Sequence, residues 1–423
     1  MLINFKLHNF RSFKEDGFLS LNEVTDTKRN PKRFVDSERE NFGHISKVAA
    51  IFGANGAGKS SLIDAMDYAQ HLILYSATNY TRGDTLYFTP HKFDPEFVNS
   101  PCEYEFTYKH KNSIFRYGFS HIAERIIDEW LFETPLDKSK RLRKWFSREY
   151  DSEKQEYIWS KNDDHIPNYN SLKKATRDNA LFLSSAVRDN SDEMFVPFSW
   201  FSDRLRIIAA NERVSSGATA AAIYQGDYHV PIVDLLKSAG MMLNDIKVSE
   251  EEFDTSSPLP KEMPSEVKKL ILEEMRGKKS YKTKFIHETT FGKVELDLDE
   301  ESDGTQAFYA LAWPLFDVLK SNATLIVDEL HNSLHPNLMS FIIGLFNDNM
   351  SSKAQLVFSS HDTVMMNPIE LSDEQIWFVD KNKYGVSSTY SLADFPNKRS
   401  KNHSKSYTDG RFGAVPKITR KVS

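Results

Sequence analysis

The chain has 423 residues, enough for one large domain or for two to three lobes with a sizeable core. Hydrophobic residues make up 40% of it, and no segment approaches the roughly 18 uninterrupted apolar residues of a membrane-spanning helix, which predicts a soluble protein. The net charge of -6 argues against a protein that coats nucleic acid, because phosphate-neutralising surfaces are usually basic. The single cysteine, Cys102, excludes an intramolecular disulfide, and the N-terminal residues lack a signal-peptide pattern, so we predict a cytoplasmic protein.

The N-terminal residues predict two strands joined by a turn. Ile3, Phe5 and Leu7 alternate with polar residues, and a second apolar run follows the turn at residues 11–17. Further along, two alternating segments within 103–119 predict a β-hairpin. We therefore expect a β-rich subdomain that ends near residue 131.

The apolar run 48–52 leads into a glycine-rich loop and then into a helical segment. The loop from Gly53 to Ser60 reads GANGAGKS and matches the phosphate-binding P-loop in its strand, loop and helix context. In such a loop backbone N–H groups cradle phosphates, Lys59 reaches the β- and γ-phosphates and Ser60 ligates Mg²⁺. We therefore predict that the chain binds ATP and Mg²⁺. The candidate nucleotide-binding residues are Gly53, Asn55, Gly56, Gly58, Lys59, Ser60 and Ser61.

The alternation typical of strands is interrupted within residues 132–285, and several segments there have helical spacing. This region is therefore predicted to be a compact helical lobe. Helical spacing occurs at Ser171–Ser185, Val230–Leu243 and Ser265–Met275, and the proline-rich segment Asp254–Pro264 predicts a mobile linker. Four aromatic residues of this lobe are candidates for exposed anchors of a protein partner, with burial in the lobe's own core as the alternative for each. They are Trp145, Tyr157, Trp200 and Phe201.

Two further apolar strands end in residues suited to nucleotide chemistry. Asp328 and Glu329 follow the first strand, where one acid can hold Mg²⁺ through water and the other can polarise the attacking water. His361 follows the second strand, and at the carboxyl edge of a sheet it can contact the γ-phosphate or that water. The candidate catalytic residues are Glu329 and His361, and the candidate Mg²⁺ ligands are Ser60 and Asp328.

Just upstream of the acidic strand, Ser302 and Gly304 open a predicted helix at 307–319. A helix N-terminus binds anions, yet the P-loop of this chain is already served by its own helix. The ligand of this second N-terminus, to which Thr305 adds a donor, is therefore expected to be the γ-phosphate of a neighbouring chain. We predict a homodimer of ATP-sandwiched heads.

We call residues 301–308, which open the helix described above, the signature. The order of P-loop, signature, paired acids and histidine resembles the ABC-class ATPase heads of the SMC, Rad50 and RecF kind. The segment Leu7–Phe13 is similar to their N-terminal strand and turn, which implies that Arg11 approaches the phosphates of the nucleotide. More narrowly, three segments resemble the AbiL- and RloA-like ATPases of bacterial anti-phage loci, including the ATPase component of PARIS. These segments are Glu301–Thr305, Asp328–Pro336 and Tyr407–Pro416.

The resemblance covers nearly the whole chain and implies an α/β ATPase head with a P-loop sheet core, an N-terminal β-subdomain and a helical insertion. It also implies that loop 332–335 crosses the dimer interface. The Q-loop glutamine of such heads has no assigned counterpart, and His91 and Asp94 lie near its expected place. The implied parts are 1–131 and 286–395 as the two halves of the head, 132–285 as the insertion, and 396–423 as a basic tail.

Three functions remain open at this point. The resemblance implies an ATP-hydrolysing sensor or scaffold that forms a homodimer or a higher oligomer and holds an effector toxin encoded nearby. A phage-encoded trigger then releases the toxin. The basic C-terminal tail suits an acidic trigger. The alternative is a DNA-repair or DNA-end-binding ATPase, which the net charge disfavours. A self-contained nuclease would need an Asp-x-Asp pair in a further domain; Asp297 and Asp299 fit the pair but lie on the strand that runs into the signature.

Overall fold

The computed structural model describes residues 1–22, 30–39, 42–137, 141–161, 166–209, 214–252, 279–332, 334–395 and 402–416. The chain divides into two compact units. The first comprises Met1–Glu212, Val318–Asn332 and Met339–Ser423, and the second comprises Arg213–Asp317 and Ser333–Leu338. This division differs from the four predicted segments, since the second unit begins well inside the predicted helical lobe.

The described residues form strands and helices in a mixed order along the chain. The strands are β1 (Leu2–His8), β2 (Gly17–Ser20), β3 (Phe34–Asp36), β4 (His44–Ser46), β5 (Val48–Phe52), β6 (Cys102–His110), β7 (Ser113–His121), β8 (Ile126–Pro135), β9 (Arg143–Asp151), β10 (Glu156–Lys161), β11 (Leu205–Ile208), β12 (Asp245–Glu252), β13 (Lys279–Thr289), β14 (Gly292–Asp297), β15 (Thr324–Val327), β16 (Gln355–Ser359), β17 (Ile376–Lys381) and β18 (Ser387–Ser391). The helices are α1 (Lys59–Tyr75), α2 (Tyr169–Ala175), α3 (Phe182–Arg188), α4 (Asp192–Asp203), α5 (Ser216–Tyr224), α6 (His229–Ser238), α7 (Asp303–Ser321), α8 (Pro336–Asn347) and α9 (His403–Thr408).

The first unit contains a six-stranded sheet with the strand order β11-β15-β16-β5-β17-β18. Its first five strands run parallel, and β18 pairs antiparallel with β17. Every residue of β5, β15 and β16 is buried, as expected for a parallel sheet covered on both faces. The carboxyl ends of these three adjacent strands meet at one edge of the sheet, which brings together the P-loop, the paired acids and His361. The predicted α/β class is confirmed.

The same unit contains an antiparallel seven-stranded sheet with the order β10-β9-β8-β7-β6-β1-β2. The predicted N-terminal strand pair and the hairpin within 103–119 are both confirmed. The sheet continues through β8, β9 and β10, so the prediction of a helical lobe that starts at residue 132 was wrong. The buried face of these strands includes an ion pair between Glu129 and Arg148, with a nitrogen to oxygen distance of 2.8 Å. A charged pair on the inner face interrupts the alternation of apolar residues that would reveal strands.

Three of the four aromatic candidates for partner anchors lie in the core, which was the alternative left open for each of them. Trp200 and Phe201 are fully buried and Trp145 nearly so, while Tyr157 is half-buried and its hydroxyl donates to the Ile126 carbonyl over 2.6 Å. The Trp200 ring stacks on Tyr108 with the ring centres 4.4 Å apart. Large rings supply much apolar area, and this unit uses them to pack helix α4 against the antiparallel sheet.

One buried side chain connects the two sheets of the first unit. The Gln355 amide group donates to the carbonyl groups of Leu2 and Ser46 over 2.9 and 3.0 Å. Its oxygen accepts from the backbone N–H of Leu2 over 2.6 Å and from the Thr324 hydroxyl over 2.9 Å. All four hydrogen-bonding positions of this buried amide are therefore satisfied, and β1 is fixed to the parallel sheet.

The predicted helix Ser171–Ser185 is two shorter helices, α2 and α3. The backbone between them bonds to other elements: the Leu181 N–H donates to the Ser76 hydroxyl over 3.0 Å, and the Ala180 carbonyl accepts from Arg148 over 2.6 Å. These contacts compete with the helical hydrogen bonds that a continuous helix would need. The other predicted window, Val230–Leu243, corresponds to α6, whereas Ser265–Met275 and Asp254–Pro264 lie outside the described residues.

The second unit has an antiparallel sheet of three strands in the order β12-β13-β14. Helix α5 contacts β12 and β13, and α6 contacts β12. The Phe285 ring of β13 packs edge-on against Tyr309 of α7 with ring centres 5.3 Å apart, and the Tyr309 hydroxyl lies 3.1 Å from the hydroxyl of Thr283. The second unit is thus a mixed sheet and helix unit in its described part, and so the portion of the predicted helical lobe that falls within it is not purely helical.

The described part of the predicted basic tail belongs to the first unit. The ring of Tyr407 in α9 stacks on Phe378 of β17 with ring centres 5.5 Å apart, and its hydroxyl donates to the Ala414 carbonyl over 2.8 Å. Phe412 packs on the same Phe378 ring at 5.8 Å. Residues 402–416 therefore complete the core beside the last hairpin, and the remaining tail residues lie outside the described part of the chain.

Within the described residues, no helix combines the length and the apolar character needed to cross a bilayer.

Candidate nucleotide-binding site

The P-loop connects the end of β5 to the start of α1 through backbone that needs glycine. Gly56 and Gly58 have φ angles of 73° and 118°, in the left-handed region that residues with a Cβ avoid. A Cβ on Gly53 would lie 2.3 Å from the Val379 carbonyl oxygen, so β17 packs directly on the loop. The glycines are required by the fold of the loop as well as by any phosphate it binds.

Two serines that the sequence analysis did not single out hold the P-loop from its other side. The Ser387 hydroxyl donates to the Ala57 carbonyl over 2.5 Å, and the Ser387 N–H donates to the Ser12 carbonyl over 2.7 Å. A Cβ on Gly58 would meet both serine hydroxyls within 2.8 Å. The loop is therefore clamped between the N-terminal turn and the last hairpin. No sequence pattern marks these serines, because they act from distant parts of the chain.

The Lys59 side chain lies folded over the P-loop. Its ammonium group donates to the carbonyls of Gly53 and Ala54 over 2.9 and 3.2 Å and lies 3.4 Å from Nδ1 of His361. Burial lowers the pKa of Lys59 to about 8, although the carboxylates of Asp328 and Glu329 oppose this shift. The ammonium group is therefore charged at neutral pH and held at the place where a phosphate would enter.

Asp328 is buried at the end of β15, and its two carboxylate oxygens differ in their hydrogen bonding. The first oxygen accepts a short hydrogen bond from the Ser359 hydroxyl. The second is buried and has no hydrogen-bond partner among the described residues. A buried carboxylate oxygen without a donor is costly, and a hydrated Mg²⁺ ion would satisfy it. The predicted role of Asp328 as a Mg²⁺ ligand fits this geometry, and Ser60 at the start of α1 lines the adjacent cavity.

Glu329 follows with a positive φ of 55°, which turns its side chain out of the strand direction. Its backbone N–H donates to the Ser359 hydroxyl over 2.8 Å, and one carboxylate oxygen accepts from the Asn332 amide over 3.0 Å. The Asn332 hydrogen bond is the main reason that the pKa of Glu329 lies below its usual value. The carboxylate is therefore ionised at neutral pH, as a residue that polarises water requires.

His361 lies between the lysine and the glutamate. Its Nε2 is 3.6 Å from a Glu329 carboxylate oxygen, and its Nδ1 faces Lys59. Burial, together with the nearby Lys59 charge, lowers the pKa of His361, so the imidazole is neutral at pH 7. The His331 ring packs edge-on against it with ring centres 5.4 Å apart. His331 was not among the residues predicted for the site.

Arg11 lies at the tip of the N-terminal turn with a positive φ of 49°. Its guanidinium group is ion-paired with Asp64 of α1 and also lies 3.3 Å from the Tyr87 hydroxyl. His91 and Asp94, near the expected Q-loop position, make other contacts: a ring nitrogen of His91 is 3.0 Å from the Arg11 carbonyl, and Asp94 pairs with a lysine. Neither lines the cavity described next.

These residues surround one cavity of about 620 Å³, a volume within the range of small-molecule sites. The structure brings nine of the predicted site residues to its wall, whereas Asp328 is buried and does not line it, and Gly53 borders a neighbouring cavity. The nine are Arg11, Asn55, Gly56, Gly58, Lys59, Ser60, Ser61, Glu329 and His361. Lining residues that the sequence analysis did not single out are Ser12, Thr89, Pro90, Lys92, Phe93 and Lys381.

The predicted signature residues lie in the second unit and are described there by themselves. The Ser302 hydroxyl accepts from the Thr305 N–H over 3.2 Å and lies 2.9 Å from its hydroxyl, so Ser302 caps the N-terminus of α7. Ser302 is exposed, and Gly304 and Thr305 are partly exposed. The structure therefore presents these three residues at a helix N-terminus, but it does not bring them into the cavity of the first unit.

The lowered pKa of Lys59 predicts how nucleotide affinity depends on pH. Below pH 8 the lysine is already charged, whereas above it the free protein must take up a proton to bind a phosphate. We expect the affinity for ATP and Mg²⁺ to fall roughly tenfold between pH 7 and pH 9. Titration calorimetry in two buffers of different ionisation enthalpy should detect the uptake of about half a proton at pH 8. Equal affinity at both ends of that range would contradict the assignment.

The fold and the loop geometry define a P-loop protein of the α/β class. The chain matches the AAA_21 family model over residues 48–367, about three quarters of its length, and belongs to that family. The description of the family is "AAA domain, putative AbiEii toxin, Type IV TA system". No curated protein matches the sequence.

Solved structures of SMC heads are similar to this chain. The SmcHead bound to the C-winged helix domain of ScpA is 14% identical, with a TM-score of 0.47, and the match covers 92% of this chain and 97% of that one. The SMC head domain from Thermotoga maritima is 12% identical, with a TM-score of 0.39 and coverages of 92% and 98%. The SMC head of Pyrococcus furiosus with an extended coiled coil has the same identity and score, with coverages of 92% and 96%.

Proposed function

We propose that the chain binds ATP with Mg²⁺ in the 620 Å³ cavity and hydrolyses it. The observation that carries this proposal is the convergence of Lys59, Glu329 and His361, from three different strand ends, on one P-loop. The three groups have the charge states that phosphoryl transfer needs, namely a charged lysine, an ionised glutamate and a neutral histidine. Membership of a family described as an AAA domain supports the same activity.

Each group has a distinct task in this proposal. Lys59 exchanges its carbonyl partners for the β- and γ-phosphate oxygens, and Ser60 and Asp328 would hold the metal ion. Bound Mg²⁺ supplies positive charge that offsets the charge developing on the phosphates. Glu329 orients and polarises the attacking water, and His361 positions the Glu329 carboxylate relative to the γ-phosphate. Arg11 leaves Asp64 to contact a phosphate.

The active form is a homodimer in which each nucleotide lies between two chains. Ser302, Gly304 and Thr305 of one chain contact the γ-phosphate held by the P-loop of the other. The support is chemical: an exposed helix N-terminus capped by a serine offers N–H groups to an anion, while the P-loop of its own chain already has α1. Loss of the γ-phosphate removes the contact, so hydrolysis opens the dimer.

The biological role that we propose is that of an ATP-driven sensor in bacterial anti-phage defence, one that holds and releases a separately encoded toxin. The family description refers to a toxin and antitoxin system, which supports a toxin-linked role over DNA repair. The net charge of -6 also disfavours a surface that tracks DNA.

The Lys59→Ala substitution tests both the proposed ATP site and the proposed role in anti-phage defence. We expect it to abolish ATP binding, because the substitution removes the ammonium group that lies over the loop and would contact the β- and γ-phosphates. The exposed Lys154→Ala serves as a control with unchanged binding. Equilibrium dialysis with radiolabelled ATP measures this directly. In cells that carry the locus, Lys59→Ala should also remove protection against phage. Protection that persists without nucleotide binding would contradict the sensor role, and unchanged ATP binding would contradict the site.

A further inference from the structure

An aromatic ring stands exposed on the wall of the candidate nucleotide cavity. Phe93 is 75% exposed, yet its ring lines the same cavity as Lys59 and Ser60. Leaving a phenyl ring in water gives up the free energy that its burial would contribute. Single exposed apolar residues are common, so the surroundings of the ring decide whether it has a task.

The loop that carries Phe93 is fixed on both sides of it. The Arg11 N–H donates to the Thr89 carbonyl over 2.8 Å, and the Lys14 ammonium group lies 2.7 Å from the Asp94 carboxylate. Both partners belong to the N-terminal turn, which also contributes residues to the cavity wall. The exposure of the ring is therefore a property of an anchored loop.

One edge of the ring lies against backbone that only glycine allows. A Cβ on Gly385 would lie 2.6 Å from a Phe93 ring carbon, and Gly385 has a φ of 81°. Two residues further on, Ser387 donates its hydroxyl hydrogen bond to the P-loop carbonyl of Ala57. The turn that supports the ring is thus tied directly to the loop that binds phosphate. Gly385 meets this edge, and the ring also packs edge-on with His91, with ring centres 5.6 Å apart, so the position of the ring beside the cavity is fixed.

The cavity combines this flat apolar surface with cations. Lys59, Lys92 and Lys381 line it together with Phe93. A ligand that matches both features carries several negative charges at one end and a flat ring system at the other. Nucleotides have this chemistry, and every nucleobase offers a π face for stacking on an aromatic side chain.

We infer that Phe93 is the stacking platform for the base of the nucleoside triphosphate. This inference rests on the proposed function, since it concerns the same cavity, and it adds the residue that recognises the base. The P-loop and Lys59 hold the phosphates, and Phe93 converts a general polyphosphate site into a nucleotide site.

The test compares two ligands that differ in the presence of a nucleoside. Wild-type protein and Phe93→Ala are titrated with ATP and with inorganic tripolyphosphate, both with Mg²⁺. We expect Phe93→Ala to weaken ATP binding roughly tenfold to a hundredfold and to leave tripolyphosphate binding unchanged. Phe93→Trp should retain ATP affinity, and its indole fluorescence should be quenched by ATP and not by tripolyphosphate. Phe291→Ala removes a phenyl ring that is fully exposed elsewhere and should change neither affinity.

The outcomes separate this inference from the proposed function. Unchanged ATP affinity in Phe93→Ala, with wild-type protein that binds ATP, overturns the stacking role and leaves the ATP site intact. An equal loss for both ligands means that the ring supports the loop and does not contact the base, which also overturns it. Wild-type protein that binds neither ligand contradicts both proposals. Loss of ATP affinity with tripolyphosphate binding retained supports the inference.

Discussion

Glu329→Gln is expected to bind ATP and retain it, with turnover reduced by about 10² to 10⁴. The amide is nearly isosteric with the carboxylate and can still accept from Asn332, so the loop after β15 keeps its shape. What is lost is the ionised oxygen that faces His361 and would polarise the attacking water. Lys59, Ser60 and Asp328 are untouched, so the affinity for ATP and Mg²⁺ should remain close to that of the wild type.

Single-turnover hydrolysis of radiolabelled ATP separates these two effects. The matched control is Glu153→Gln, an identical change at an exposed turn between β9 and β10, which should hydrolyse ATP at the wild-type rate. Hydrolysis by Glu329→Gln at that same rate would remove the residue from the mechanism. Weakened binding with a normal rate of hydrolysis would instead assign Glu329 to ligand affinity.

Ser302→Arg should silence hydrolysis while each chain still binds ATP. The serine is exposed at the start of α7, where an arginine can be accommodated by the chain itself but obstructs the approach of a second chain. The substitution also removes the hydroxyl cap of the helix, so Ser302→Ala is the control that removes the cap without adding bulk. Ser302→Ala should keep a larger share of the activity than Ser302→Arg.

A mixture of two inactive variants gives the sharper result. Lys59→Ala supplies an intact signature without nucleotide, and Ser302→Arg supplies nucleotide without a signature, so a mixed dimer contains one complete site. If the chains associate at random, we expect about a quarter of the wild-type turnover in an equal mixture. Full activity of Ser302→Arg by itself would mean that each chain hydrolyses ATP unaided.

Local patterns predicted the parts of the site that lie close together in the chain. The β5 strand, the P-loop and α1 follow each other within residues 48–75, and their order is legible because glycine, lysine and serine occupy fixed offsets. The ends of β15 and β16 were also predicted, since continuous apolar runs mark buried parallel strands. Their meeting at one edge follows from parallel pairing, which the sequence suggests but does not specify.

The remaining errors came from residues whose environment is set by distant contacts. Trp200 and Phe201 were candidates for exposed partner anchors, yet they fill the core between α4 and the antiparallel sheet. The strands β9 and β10 and the end of β8 were predicted as part of a helical lobe because aromatic and charged residues, among them the buried Arg148, interrupt the apolar alternation there. Phe93 lies in a loop whose sequence shows neither helical nor strand periodicity. Its place beside the cavity is known only from the packing of its ring against Gly385.

The measurement that tests the central claim most directly is sedimentation velocity of Glu329→Gln with and without ATP and Mg²⁺. The γ-phosphate held over Lys59 should recruit the signature helix of a second chain, so ATP should drive association of chains in pairs, and ADP should not. The same sedimentation coefficient with ATP as without it, in a protein that demonstrably binds ATP, would contradict a composite site.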